Sequence, residues 1–315
     1  MPCHNRQEAL RFTLDSLCRQ THPASDFDVL VVDQASTDGS RELVEKFDTP
    51  YKLELLEQDC PYGPSVARNA GIEAAASKTI LLLDADMLAD PGLVAAHLVC
   101  HASHPDALAY GRVKPYPIAY TSFVDQVADP DAFLDRGTED KLLPFYQGFS
   151  NHQSFSKSTF THVGLFDPLL RAYEDIDFAY RASQMGFTIL NCPDAISYHN
   201  HPRTLRERYT TARTYNRMLP VLLDRYPELR NRLPPFLDFE PIDWREDRFD
   251  RLISKLRVRA FSTATLRGVS LRSLNILNHF RVMPYLVRGL YWQLLIGSKY
   301  LGFKDGMARV ETNES

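Results

Sequence analysis

The sequence has no run of eighteen apolar residues, no cysteines at CxxC spacing and no low-complexity tract. The first absence excludes a simple membrane-spanning helix; the nearest candidate, residues 284–303, is interrupted by Arg288, Gln293 and Lys299. The second, with an odd total of five cysteines (Cys3, Cys18, Cys60, Cys100, Cys192), speaks against a disulfide framework or a zinc–thiolate site and for a reducing compartment. The opening MPCHNRQEAL lacks the apolar stretch of a secretory signal, so a cytoplasmic protein is expected. Positive charge is not in excess either. With 36 Lys and Arg against 40 Asp and Glu the net charge is −4, which removes any global case for a nucleic-acid partner.

Charge is instead segregated along the chain. Residues 244–315 hold 13 basic and 6 acidic residues, a net +7, against a net −11 for residues 1–243. Between Arg251 and Lys304 stand ten basic residues and no acidic one. The preceding two hundred residues alternate short β-rich runs with helical patterns, which predicts an α/β fold around a mainly parallel sheet. Helices are expected at 7–20, with Leu10, Leu14 and Leu17 on one face, from 41, and at 65–76; strands are expected at 28–33, 52–56 and 79–84. Residues 115–150 read as a long functional loop region. A helix follows at 174–185, closed by Gly186, then short strands near 187–191 and 196–199, and helices from about 204 onward. The expected organisation is an α/β domain over 1–215 and a helical, basic region over 216–315.

Several polar groups sit where such a fold places ligands, beyond the carboxyl ends of its strands. Asp84-Ala85-Asp86 follows three leucines, and two carboxylates in a turn can share a hard divalent cation with phosphate oxygens; the plainer reading is a polar turn. Asp33 ends the strand VVD, where it can accept a hydrogen bond from a base or ribose, or cap the next helix. Arg68, in SVARNAG, can meet a phosphate or the Asp33 carboxylate, or simply face solvent. Glu174-Asp175-Ile176-Asp177 opens a helix; acids there suit the helix dipole, and one can also serve as a general base. His199 and His201 follow a strand, and either imidazole can complete a metal shell or lie at the surface.

In order along the chain, PCHN (2–5), VVDQASTDGS (31–40), ARNAGI (67–72), LLLDADM (81–87), VGLFDPLL (163–170), YEDIDFAYRASQMGF (173–187) and AISYHNHP (195–202) resemble a family-2 glycosyltransferase of the nucleotide-sugar-dependent, GT-A-fold kind. The resemblance covers roughly residues 2–215. It implies an inverting transfer of a sugar from a nucleotide-diphosphate donor, UDP by default, to a hydroxyl acceptor, in the synthesis of a cell-surface polysaccharide or glycolipid. Pro2 and His4 would line the base pocket, Asp33 would hold the uracil or ribose, Arg68 would sit beside the nucleotide, and Asp84 would contact ribose or sugar. Asp86 would bind Mn²⁺ or Mg²⁺, with His199 as first and His201 as second choice for a further ligand. Asp175 would be the general base, with Glu174 touching acceptor or donor. An alternative is a nucleotide-sugar-binding scaffold of the same fold without turnover. This chain departs from the family pattern at three places: no strand precedes Pro2, Gln34 stands where a second acid is common, and Ser150–Gln153 replaces a Gly-Asn acceptor segment.

The acid-free stretch 251–304 is expected either to pack as helices with solvated arginines or to lie on a membrane surface, with Tyr291, Trp292 and Tyr300 near the headgroups and a glycan or lipid-linked acceptor close by.

Overall fold

The structure is a computed structural model that describes residues 1–116, 122–128, 135–139, 141–149, 151–233 and 238–313. The chain divides into two compact units: Met1–Ala119 with Asp131–His201, and Tyr120–Pro130 with Pro202–Ser315.

The first unit is α/β. A three-stranded parallel sheet runs β1–β2–β3 from Pro2–Cys3, Asp28–Gln34 and Lys52–Gln58. Where the sequence leaves no strand ahead of Pro2, Pro2 and Cys3 themselves pair with Val32 and Asp33, and the Val32 amide donates to Met1 O at 2.8 Å. Helices α1 (Gln7–Leu17), α2 (Ser40–Lys46) and α3 (Pro64–Ala74) connect these strands to β4 (Thr79–Leu83). The 3.6-residue spacing of Leu10, Leu14 and Leu17 buries all three against Val29 and Val31 of β2.

A second, mixed sheet has the order β4–β7–β6–β8–β5, with β5 at Met87–Ala89, β6 at Leu108–Pro115, β7 at His152–Ser156 and β8 at Ile189–His199. The region read as a long loop thus holds the end of β6 and, among its described residues, helix α5 (Phe123–Ala128); Ser150 lies outside the described residues. Helices α4 (Leu93–Ser103), α6 (Lys157–Val163) and α7 (Glu174–Gln184) complete the set around this sheet. The two short strands expected near 187–199 are one strand. β6 pairs in parallel with it from Leu108↔Ile189 to Gly111↔Cys192, then resumes at Arg112↔Ile196, so residues 193–195 are accommodated as a bulge. Gly111 sits at that step because a Cβ there would lie 2.1 Å from the His152 ring.

The second unit is helical: α5 with α8 (Leu205–Asn216), α9 (Leu219–Arg225), α10 (Phe249–Ser262), α11 (Ala264–Phe280) and α12 (Pro284–Asn313). Its core joins Val124 and Ala128 of α5 to Tyr209, Leu274, Val287, Tyr291 and Leu294. The expectation that Tyr291, Trp292 and Tyr300 lie at a lipid surface is corrected here. Tyr291 is 1% exposed against Tyr209, Trp292 packs on the same cluster, and Tyr300 packs on Phe239 under the Arg259 guanidinium. Helical periodicity turns these rings inward and leaves others out. Among the described residues no helix is long and apolar enough to cross a membrane.

Candidate functional site

Three groups of side chains gather in the α/β unit. The first lies where β1 and β2 end. Asp33 is 1% exposed; its Oδ2 accepts from Ser36 N at 3.0 Å and from Arg41 Nε at 2.6 Å, while its buried Oδ1 has no donor within the protein. A buried carboxylate oxygen without a donor is costly, so it marks a place for a ligand N–H or O–H. His4 is exposed, with Nδ1 2.6 Å from Gln34 O, and Pro2 lies in β1, paired with Val32 next to Asp33. Asp38 knits the two loops: it accepts from Gln7 N at the start of α1 and from Ser40 N and Oγ at the start of α2. Burial would raise its pKa, but these hydrogen bonds outweigh it and hold the carboxyl below its ordinary range. Gln34 turns away, donating from Nε2 to Gln58 Oε1 and to Gly63 O.

The second group is built on Arg68. Its Nη1 donates to Glu174 Oε1 at 2.6 Å and its Nη2 to Asp84 Oδ1 at 3.1 Å, so the carboxylates it meets are these and not Asp33, which Arg41 takes from the start of α2. Burial disfavours the guanidinium's charge, yet the fields of Asp84, Glu174 and Asp175 prevail and keep it firmly protonated. The next residue, Asn69, holds the Phe166 backbone from both sides, donating to its carbonyl at 2.8 Å and accepting from its amide at 2.9 Å. ARNAG and VGLFD are therefore mating halves of one contact. On α7, Tyr173 takes a left-handed backbone (φ 66°) just before Glu174, and Asp175 Oδ1 accepts from Ile176 N. Asp177 is fully buried with Arg181, whose guanidinium also donates to the carbonyls of Val163 and Leu165. The three acids that open the helix are thus divided. Glu174 and Asp177 are locked into ion pairs, and Asp175, half-buried, lies within the field of Arg68.

The third group contains Asp86, His199 and His201, each with a ligand atom within 4.8 Å of the others; among the described residues this is where a metal ion finds three protein donors. The turn holding Asp84 and Asp86 is closed by Met87 N donating to Asp84 O, and fixed by Thr13 Oγ1 on Ala85 O and Asn200 N on Asp86 O. His201 Nδ1 is 2.5 Å from Asp86 Oδ2, and His199 Nε2 is 3.8 Å from the same oxygen. Both histidines face Asp86, with His201 the nearer. Burial pushes the Asp86 carboxyl up, but the His201 hydrogen bond and the charges of His199, His201 and Arg6 outweigh it and bring it to about 2.

A hydrogen-bonded chain runs beneath this cluster. His101 bonds Ser154 (2.7 Å), Ser154 bonds His97 (2.8 Å), His97 bonds His152 (2.9 Å) and His152 bonds Ser197 (2.9 Å), two residues before His199. Burial and the neighbouring His101 lower His97 to about 3, and burial also holds His152 well below its ordinary value. Both rings are neutral, so one Nε2 donates and the other accepts. Sequence reading did not single out Asn69, Arg41, Asp38 or this chain; their partners are 8 to 97 residues away, and no local pattern announces them.

Residues 1–155 match the family described as "Glycosyl transferase family 2". A curated relative, glycosyltransferase AglE of Haloferax volcanii, is 39% identical over 201 residues, covering 63% of this chain and 65% of its own length. The chain spans only about half the length of two other curated relatives, 47% and 51%. Among solved structures, the mannosyltransferase PcManGT of Pyrobaculum calidifontis, in complex with GDP-Man and Mn²⁺, gives a TM-score of 0.58 at 16% identity, covering 95% of this chain and 85% of that one. Residues 1–349 of S. aureus TarS, in complex with UDP-GlcNAc, give 0.53 at 16% identity, covering 98% and 90%.

Proposed function

Because the chain belongs to glycosyl transferase family 2 and has the GT-A fold, we propose that it is an inverting glycosyltransferase that moves a sugar from a nucleotide diphosphate, a UDP-sugar in the first instance, to a hydroxyl acceptor. The observation that carries this reading is the Arg68 bridge. It ties the strand-end carboxylate Asp84 to Glu174, next to Asp175, and so brings the donor end and the base end of one site together. Asp33, with its unpaired Oδ1, would accept from the nucleobase or ribose, and His4 and Pro2 would border the base. Asp84 would contact ribose or sugar.

Asp175 takes the proton from the acceptor hydroxyl as its oxygen forms a bond to the anomeric carbon. On the opposite face the bond from that carbon to the diphosphate oxygen breaks, and the electron pair leaves with the diphosphate. Configuration inverts and no covalent enzyme intermediate forms. Glu174 stays with Arg68, whose guanidinium lies in the field of Asp175 and so places a positive charge beside the proposed base.

The family's divalent cation fits Asp86, His199 and His201, since one carboxylate and two imidazoles form a donor set that suits Mn²⁺ better than the oxygen-preferring Mg²⁺. A cation held there supplies positive charge for the leaving diphosphate. The acceptor is a glycan or lipid-linked hydroxyl compound, and the protein works as a cytoplasmic or peripheral membrane protein in polysaccharide or glycolipid synthesis.

The test is release of nucleotide diphosphate from UDP-, dTDP- and GDP-sugars, with Mn²⁺ or with EDTA, alongside Asp175→Asn and Asp86→Ala. Metal-dependent release from one donor, reduced about 10³-fold or more in both variants, is expected. Donor binding without release, with mixed acceptors present, would establish the scaffold alternative. Release unchanged in Asp175→Asn would overturn the assigned base.

A further inference from the structure

Among the described residues of the helical unit, the corner between α11 and α12 carries an unbroken exposed run rich in large apolar side chains. Every residue from His279 to Leu286 is exposed, and Phe280, Val282, Met283, Tyr285 and Leu286 lie there together. Phe280 is 67% exposed and Tyr285 92%. On α11 the exposed stripe continues backward at helical spacing through Ile276 and Arg272. The corner is also strained. Arg281 (φ 53°) and Met283 (φ 56°) both take the left-handed backbone that glycine or asparagine normally supplies at such turns. A corner selected only to reverse the chain in water would carry those residues and polar neighbours. This one exposes large apolar side chains, with Arg272 and Arg288 exposed on the flanking helices and Arg281 donating to Gln126 Oε1.

We propose that this corner inserts into the headgroup region of an anionic lipid bilayer. The charge pattern selects that occupant. The corner lies within the 54-residue stretch Arg251–Lys304, which has no acidic residue. Lys255 is buried on Asp247 and Arg259 is held by the Glu240 carbonyl, but Arg272 and Arg288 are exposed beside the corner. Its complement is therefore a surface of negative charge over an apolar interior. Phe280, Met283 and Tyr285 enter the interface, and Arg272 and Arg288 meet lipid phosphates. No helix among the described residues can cross the bilayer, so the contact is with one leaflet. The proposal deepens the peripheral-membrane part of the function given above and does not depend on the catalytic part, because its test reads no turnover.

The experiment is sedimentation of the full chain with vesicles of phosphatidylcholine alone and of phosphatidylcholine mixed with phosphatidylglycerol, at low and high salt. The wild type is expected to pellet with anionic vesicles, weakly with neutral ones, and less as salt rises. Phe280→Ser and Tyr285→Ser each lower the affinity roughly tenfold, and the pair Arg272→Glu/Arg288→Glu removes the preference for anionic lipid. These side chains are exposed, so the variants keep the wild-type circular dichroism and melting temperature. A Tyr285→Trp probe shifts its fluorescence to the blue on adding anionic vesicles. No binding of the wild type to anionic vesicles at low salt overturns the proposal, as does equal binding by the serine variants. Self-association abolished by Phe280→Ser, with no vesicle binding, overturns it in favour of a contact between copies of this chain.

Discussion

Arg68 and Arg288 are the same side chain in opposite circumstances. Arg68 is buried in the α/β unit with Glu174 and Asp84 on its guanidinium; Arg288 is exposed in the helical unit, in a stretch with no acid for fifty residues. Desolvating a charge costs several kcal/mol, and a buried ion pair returns little more than it loses. The α/β unit bears that cost repeatedly, at Asp33, Arg68–Glu174, Asp177–Arg181 and Asp86–His201. Two of these four groups, Asp33 and Asp86–His201, lie at strand ends, and Arg68 reaches a further strand-end carboxylate in Asp84. Where unlike charges converge under cover, the molecule is holding a geometry; where like charges spread over an exposed face, their complement lies outside it.

The comparison breaks first at Arg68. Arg68→Met leaves Glu174 buried without its cation, and is expected to cost about 3–5 kcal/mol of unfolding free energy in urea titration, while Arg288→Met changes it by under about 0.5 kcal/mol. Equal effects would remove the distinction between the two regions. Next come two tyrosines of one helix. Tyr291→Ala empties part of the helical core and is expected to cost about 3 kcal/mol, whereas Tyr285→Ala lies within about 0.5 kcal/mol of wild type by thermal or chemical melting.

The buried histidines give the third. His97 has a folded-state pKa of about 3, below its unfolded value, so its contribution is whole above about pH 6.5 and is lost as pH falls toward 3, because the unfolded chain takes the proton first. Urea titrations across that window should lose up to about 1.4 kcal/mol per pH unit for His97, with His152 adding in the same direction. His97→Gln should flatten the dependence, and an unchanged slope would show that another group titrates. The smallest effect is at Ala35, which holds φ 54° between β2 and the Ser36–Gly39 turn. Ala35→Gly is expected to raise stability by roughly 0.5 kcal/mol at most, the relief of backbone strain being partly offset by a freer unfolded chain.

Much of the α/β unit was legible because its signals are local. Leu10, Leu14 and Leu17 declare a helix face, and DVLVVD and TILLL declare buried strands. Asp33, Arg68, Asp84, Asp86, Glu174, Asp175, His199 and His201 could be singled out because they stand at strand ends or helix starts. β7 could not be read. Its sequence HQSFS looks like a polar turn, and it is buried because His97 and His101, more than fifty residues earlier, satisfy His152 and Ser154. Asn69 was missed for the same reason, its partner Phe166 lying 97 residues on. In the helical unit, composition gave the charge asymmetry but not the facing of each ring. Tyr285 and Tyr291 are separated only by their angle around α12.

The bulge in β8 has a consequence of parity. Side chains on a strand alternate, so the residue at which pairing resumes decides which of the following residues point each way. Ser197 and His199 share one face: Ser197 ends the histidine chain and His199 faces Asp86. The bulge absorbs residues 193–195 between two fixed pairs, Gly111↔Cys192 and Arg112↔Ile196, so the shared face is set by where pairing resumes. A slip of one residue there would present Ile196 and Tyr198 instead, with the buried chain and the contact to Asp86 lost in a single event.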